Sequence, residues 1–305
     1  MFPISGATQS YLADLNRTET EIDQAQSEVT SGYRVQTPSD DPADIPEILQ
    51  YEADLKQNQQ IQSNLASAGS ELSSADSALQ TAVSAVESAV SLATEGASTS
   101  VTASARTNLA TQVQGILQTL VSASQTQVNG RYIFSGDQSS SPMYQLNSSG
   151  DGVTQQFSAS STRVIVDTSG TSIPIAETAQ QIFDPQTSTG TAATGNVFAA
   201  VTGLLTALQN NDQAGITQSV TDLQSADTYL NQQLAFYGTA EDRVTSATST
   251  AQQLQTQITS QLGNLRDADI PTVSVQLTQS QLDEQAALSV EAQVQQQKNL
   301  FSYLG

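Results

Sequence analysis

The sequence predicts a mainly α protein with a small β-rich insert, a long antiparallel α-helical coiled-coil rod that closes on its own N- and C-terminal helices. Three observations predict it. Apolar residues recur at seven-residue spacing through most of 4–128 and 196–304, as the a and d positions of paired helices do. Aromatics are only 5% of the chain and Trp is absent, so its cores are narrow seams of Leu, Val, Ile and Ala. Between 131 and 195 the composition turns to Ser, Thr and Gly with short β-prone runs.

The first heptad pattern opens the chain. Ile4, Tyr11, Thr18 and Ala25 form one row, and Leu15, Ile22 and Val29 the other. Asp14, Arg17, Glu19, Glu21, Asp23 and Glu28 lie off this seam, and Ser31-Gly32 reads as a C-cap. Residues 33–46 then form a non-helical link. Pro38, Pro42 and Pro46 hold their predecessors extended, and Ser39, Asp40 and Asp41 are turn and N-cap types.

A very long helix is predicted from Asp44 to Thr94. Leu65, Leu72, Leu79 and Val86 repeat at seven, Ala68, Ala75, Ala82 and Ala89 form the partner row, and Val83 and Val90 widen the stripe. At 1.5 Å per residue such a helix is ~75 Å long, beyond ordinary globular helices. Gly96 ends it. A further helix pattern runs from Val101 to Val128, with Leu109, Val113, Ile116, Leu117 and Leu120 on one face, and Asn129-Gly130 reads as a turn. Four β-prone runs follow, at 132–134, 153–157, 163–167 and 173–175, separated by turn clusters such as 147–152. The competing reading of this stretch is a disordered Ser/Thr linker.

Helix returns near Asn196. Leu223, Leu230, Tyr237, Val244, Ala251, Ile258 and Leu265 form the longest heptad row, and Ala226, Ala240, Ala247 and Leu254 supply the second. Residues 266–271 interrupt it. A last amphipathic helix runs from Thr272 to Leu304, with Leu277, Ala287, Val290, Val294 and Phe301 apolar. The predicted organisation is therefore a terminal coiled-coil domain (1–32 with 272–305), linkers (33–46 and 266–271), a helical rod (47–130 with 196–265) and a β-rich outer domain (131–195). This symmetry is that of a hairpin whose opposite ends pair antiparallel.

The same composition excludes several kinds of chemistry. Thirty acids against nine bases give a net charge of −21, which argues against nucleic acid and anionic membrane surfaces as partners. With no His and no Cys, neither a Ser-His-Asp triad nor a thiol nucleophile can form. A Ser-Lys dyad could draw only on Lys56 or Lys298, both at solvent-type helix positions. Asp40, Asp41 and Asp44 could bind Ca²⁺, but their spacing is not that of an EF-hand, and capping of the following helix is the better account. Asp267 and Asp269 could form a glycosidase pair, but turn and salt-bridge roles beside Arg266 suffice. Asn16-Arg-Thr18 and Asn147-Ser-Ser149 are sequons expected by chance in such a composition. We therefore expect no catalytic, cofactor-binding or metal-binding residue, and no enzyme. No basic-then-apolar leader is visible near Met1, and no apolar run reaches the ~18 residues that span a membrane.

One stretch carries a family resemblance. Residues 28–55, EVTSGYRVQTPSDDPADIPEILQYEADL, resemble the N-terminal signature of the bacterial flagellin superfamily. The Pro-Ser-Asp-Asp-Pro form at 38–42 is similar to its hook-associated branch, as is NGRYIFSG at 129–136. Asp267-Ala-Asp269 before a Gln- and Ala-rich helix resembles the shared C-terminal motif, and 299–305 resembles the branch's tail. The resemblance covers 1–136 and 225–305; Pro271 and residues 1–6 depart from the pattern. It implies a structural subunit of the flagellum that joins hook to filament, or alternatively one that builds the filament itself. It implies copies of the chain, neighbouring hook-associated protein and flagellin subunits, and an export chaperone as partners. It also implies an extracellular location reached unfolded through the flagellar export apparatus, and terminal helices ordered by assembly. Two other readings stand beside it: a secreted hydrolase using Asp267, and an adhesin formed by 131–195.

Overall fold

The computed structural model describes residues 6–160 and 163–296. The predicted seams become helices in order: α1 (Gly6–Ser31), α2 (Ile45–Gly96) and α3 (Ala103–Ser124). Three strand pairs follow, β1 (Gln127–Val128) with β2 (Arg131–Tyr132), β3 (Tyr144–Leu146) with β4 (Val153–Gln155), and β5 (Val164–Val166) with β6 (Ser172–Pro174), all antiparallel. The chain returns through α4 (Ala179–Phe183), α5 (Val197–Gln209), α6 (Gln213–Arg266) and α7 (Ile270–Gln296). It divides into two compact units, 58–254, and 1–57 with 255–305.

In the unit of residues 58–254, α2 and α6 run antiparallel. Asn58 Nδ2 donates to the Ala251 carbonyl at 2.9 Å near one end, and Gly96 lies against Ile216 at the other. Leu65, Leu72, Leu79 and Val86 of α2 are fully buried together with Leu223, Leu230 and Ala251 of α6. Val113, Leu117 and Leu120 of α3 and Val201 and Leu204 of α5 extend the same core. A Cβ on Gly96 would come within 2.8 Å of Leu208, so the glycine that ends α2 also lets α5 approach. Beside it Arg106, buried, donates to the carbonyls of Gly96 and Ser98 and to the side-chain oxygens of Asn211 and Gln213, stitching the turns before α3 and α6 together.

Helix α3 is shorter than expected. Its N-cap is Thr102, which accepts the Ala105 N–H, but 125–128 leave the helix and Gln127–Val128 pair with β2 instead. The two-residue turn between them places Asn129 at φ 52° and Gly130 at φ 75°, which suits the right-handed twist of a tight hairpin. The expected β-rich insert is paired structure but not a continuous sheet. Strands of two or three residues, broken by Ser/Thr/Gly turns, are too short to bury a core of their own. They lay apolar residues on the helices instead: Ile165, Ile173 and Tyr144 are buried. Phe134 anchors this region, its ring edge-on to Phe183 at 6.1 Å and to Tyr237 of α6 at 6.2 Å. Asp184 ties the rest, accepting from the Tyr144 hydroxyl at 2.7 Å and from Asn196 Nδ2 at 2.6 Å. Helix α4 was not expected, although Thr178 and Gln181 form a capping box there.

One group in this unit is poorly matched to its surroundings. The Glu177 backbone N–H donates to the Tyr237 hydroxyl at 3.0 Å, while one Glu177 carboxylate oxygen is buried without a partner. Burial holds this carboxyl above its ordinary value. A carboxyl whose folded value is raised destabilises the fold while ionised, and the penalty is relieved as pH falls through that value. Glu177→Gln is therefore expected to raise Tm at pH 7 by roughly a degree or two. The gain should shrink at acid pH, as pH falls through the raised value of the carboxyl and the folded chain takes up the proton. Thermal melts at neutral and acid pH check both.

In the other unit, α1 and α7 lie side by side. The Tyr33–Asp267 antiparallel bridge joins the end of α1 to the start of α7, so the two helices run in opposite directions. A small core of Val35, Ile48 and Leu262 sits beside them, flanked by Ile45, Tyr51 and Leu265. The last helix begins at Ile270, not Thr272. Pro271 occupies its first turn, where a missing N–H costs nothing, and the Asp269 carbonyl accepts the Val273 N–H at 2.9 Å.

Candidate assembly surface

The expected seam of α1 is the face it covers. Tyr11, Leu15, Thr18, Ile22 and Val29 are partly covered and Ala25 is buried, while Ile4 lies outside the described residues. On α7 the covered row is Val273, Leu277, Ser280, Glu284, Ala287 and Glu291. Half of that row is polar. The opposite side carries apolar residues to solvent: Val275 is 72% exposed, Leu282 55% and Val290 57%. The expectation that Val290 shares the seam of Leu277 and Ala287 is thus corrected. Apolar residues are spread around α7 so that one set meets α1 and another faces outward; the side chains of Val294 and Phe301 lie outside the described residues. Leu12, Tyr33, Leu49, Ile270 and Leu288 add to the exposed apolar set, so most of the large apolar side chains left uncovered among the described residues belong to this unit.

The link that follows α1 is built from its charges. Asp40 accepts the N–H groups of Gln36 and Thr37 at 2.9 and 2.7 Å and the Thr37 hydroxyl at 2.8 Å. The Thr37 N–H, then its hydroxyl and the Gln36 N–H, hold the Asp40 carboxyl below its usual range. Arg34 donates to Asp41 at 2.9 Å, to Asp44 at 3.0 Å and to the Leu265 carbonyl at 2.7 Å. That guanidinium is the main reason the Asp41 carboxyl is also lowered. The side chains of Asp40 and Asp44 therefore hold the link rather than cap α2; the first α2 N–H groups go to the backbone carbonyls of Asp41 and Asp44.

The C-terminal break meets this link. The Arg34 and Val35 N–H groups both donate to the Arg266 carbonyl, at 2.7 and 3.2 Å, and the Ala268 N–H donates to the Gly32 carbonyl at 2.9 Å. The Arg266 guanidinium sits 4.1 Å above the Tyr33 ring and within ion-pair reach of Glu52 and Asp267. Asp267 therefore faces Arg266 and Asp269 holds the Thr272 hydroxyl at 2.7 Å, which are the turn and salt-bridge roles read from the sequence. Lys56 is exposed and Lys298 lies outside the described residues. Among the described residues, no group of three or more acidic side chains is placed to hold a metal ion, and no helix is long and apolar enough to cross a membrane. Sequence reasoning had not found Arg34 and Arg266 as the residues that join the two breaks.

Long antiparallel helices, a clasp between the chain's two ends and a terminal helix with an uncovered apolar face define a helical, structural class of protein. The particular family follows from comparison. The bacterial flagellin N-terminal helical region matches residues 5–139 and the bacterial flagellin C-terminal helical region matches 220–304, together more than two thirds of the chain. The chain belongs to the bacterial flagellin family, whose members are structural proteins of the bacterial flagellum. Solved structures share the fold. A flagellar hook-associated protein of Vibrio parahaemolyticus superposes with TM-score 0.65 at 21% identity, covering 75% of this chain and 100% of that one. Flagellar hook associated protein-3 of Legionella pneumophila gives 0.62 at 14% identity, with 72% and 98% covered. The flagellar junction protein FlgL of the same species gives 0.53 at 15% identity, with 67% and 100% covered. No curated protein sequence matches the chain.

Proposed function

We propose that this chain is a hook-associated adaptor of the flagellum, a structural subunit that joins hook to filament. The outward apolar face of α7 carries the reading. Val275, Leu282 and Val290 repeat at helical spacing on the side of α7 opposite its covered row, and such a face is stabilised when a neighbouring subunit covers it. The hook-associated structures that share the fold, each covered over nearly its whole length, support the adaptor over a filament subunit. The partners are copies of the chain, neighbouring hook-associated protein and flagellin subunits, and an export chaperone. The role is not enzymatic and uses no cofactor or metal. A chain without Cys suits export in an unfolded state through the flagellar channel to an extracellular position. Electron microscopy of the purified protein tests the assignment. Monomers or short rings that cap isolated hooks are expected; long homopolymeric filaments would make it a filament flagellin.

A further inference from the structure

We infer that Arg34 is the positioning residue that sets the register of α7 along α1, an inference that rests on reading these helices as an assembly unit. The helix seam itself supplies little register. Among the described side chains of its α7 row, Ser280, Glu284 and Glu291 are polar, and only Val273 and Ser280 are buried. With so few apolar knobs, neighbouring alignments of the two helices differ little in energy.

The clasp supplies what the seam lacks. One guanidinium binds two carboxylates at the entry to α2 and, 231 positions later, the Leu265 carbonyl near the end of α6. The adjacent Arg34 and Val35 N–H groups bind the next carbonyl, that of Arg266. The Ala268 N–H then binds Gly32, the residue after α1. Between this clasp and the first residue of α7 only Asp269 intervenes, so the point and direction from which α7 departs are fixed by contacts to residues 32–35. The planar fork of Arg satisfies three acceptors at once; a Lys ammonium would be a point charge on a flexible stem. Arg34 thus acts through the placement of α7.

The chain has no native Cys, which makes cross-linking clean. One Cys is placed at Leu15 of the full chain and a second is walked through Val273, Ser280, Glu284, Ala287 and Glu291. The parent chain is expected to cross-link predominantly at one position. Arg34→Gln should spread the yield over several positions, with the main circular-dichroism melting transition unchanged, and Arg34→Lys should restore selectivity only in part. A profile as sharp in Arg34→Gln as in the parent, a flat profile in the parent, or spreading accompanied by loss of the melting transition would each overturn the inference. Failure of the assembly reading looks different. A chain carrying Val275→Asp and Leu282→Asp keeps a sharp profile in either case, and its normal assembly would count against that reading while leaving the register role of Arg34 in place.

Discussion

Val275→Asp combined with Leu282→Asp is expected to abolish assembly while leaving the folded chain intact. Both side chains are more than half exposed in the single chain, so a carboxylate there remains solvated and changes stability by about 0.5 kcal/mol or less. Once a neighbour covers α7, the same carboxylates lose water without a partner. Each also removes a buried Val or Leu worth about 1.5–3 kcal/mol of apolar burial, and desolvating an unpaired charge adds several kcal/mol more. Every 1.4 kcal/mol is tenfold in affinity, so about 5 kcal/mol lowers association by more than a thousandfold. Sedimentation of the purified variant, with circular dichroism on the same sample, separates the two effects. A variant that assembles at the parent's concentration would remove the α7 face from the account.

Phe134→Ala should have the largest effect on folding. The ring is fully buried and holds Phe183 and Tyr237 edge-on, so it joins the strand-bearing segment to α6. Truncation of a buried Phe costs about 3–5 kcal/mol, because the cavity cannot close around rings held on separate elements. The backbone beside it is also engaged, since the Phe134 carbonyl accepts the Ala179 N–H at 2.7 Å. The expected result is a Tm lower by roughly 10 °C, at the 2–4 °C per kcal/mol of a unit this size. Loss of protection should concentrate in 131–195 when hydrogen exchange is followed. A drop of only a degree or two would mean that the segment is held elsewhere, for instance by Asp184.

What the sequence made legible follows from the range of each interaction. The rows of Leu65 to Val86 and Leu223 to Ala251 are buried as their spacing requires, since a heptad seam is written locally. The sign of Asp267 and Asp269 as turn residues was legible for the same reason. The clasp was not, because Arg34 and Leu265 meet only after the chain has closed on itself. The outward face of α7 was hidden by its own composition: with apolar residues all round a helix, periodicity cannot say which of them meets a neighbour. Helix α4 carried a readable capping box at Thr178 and Gln181, but its five residues lie in a stretch dominated by β-prone runs and turns.

The central claim is that this chain joins hook to filament, and imaging cells that lack it tests that most directly. The account predicts hooks without filaments, filament subunits released into the medium, and rescue by the parent chain but not by the Val275→Asp, Leu282→Asp variant. Hooks that carry filaments of normal length in its absence would contradict it.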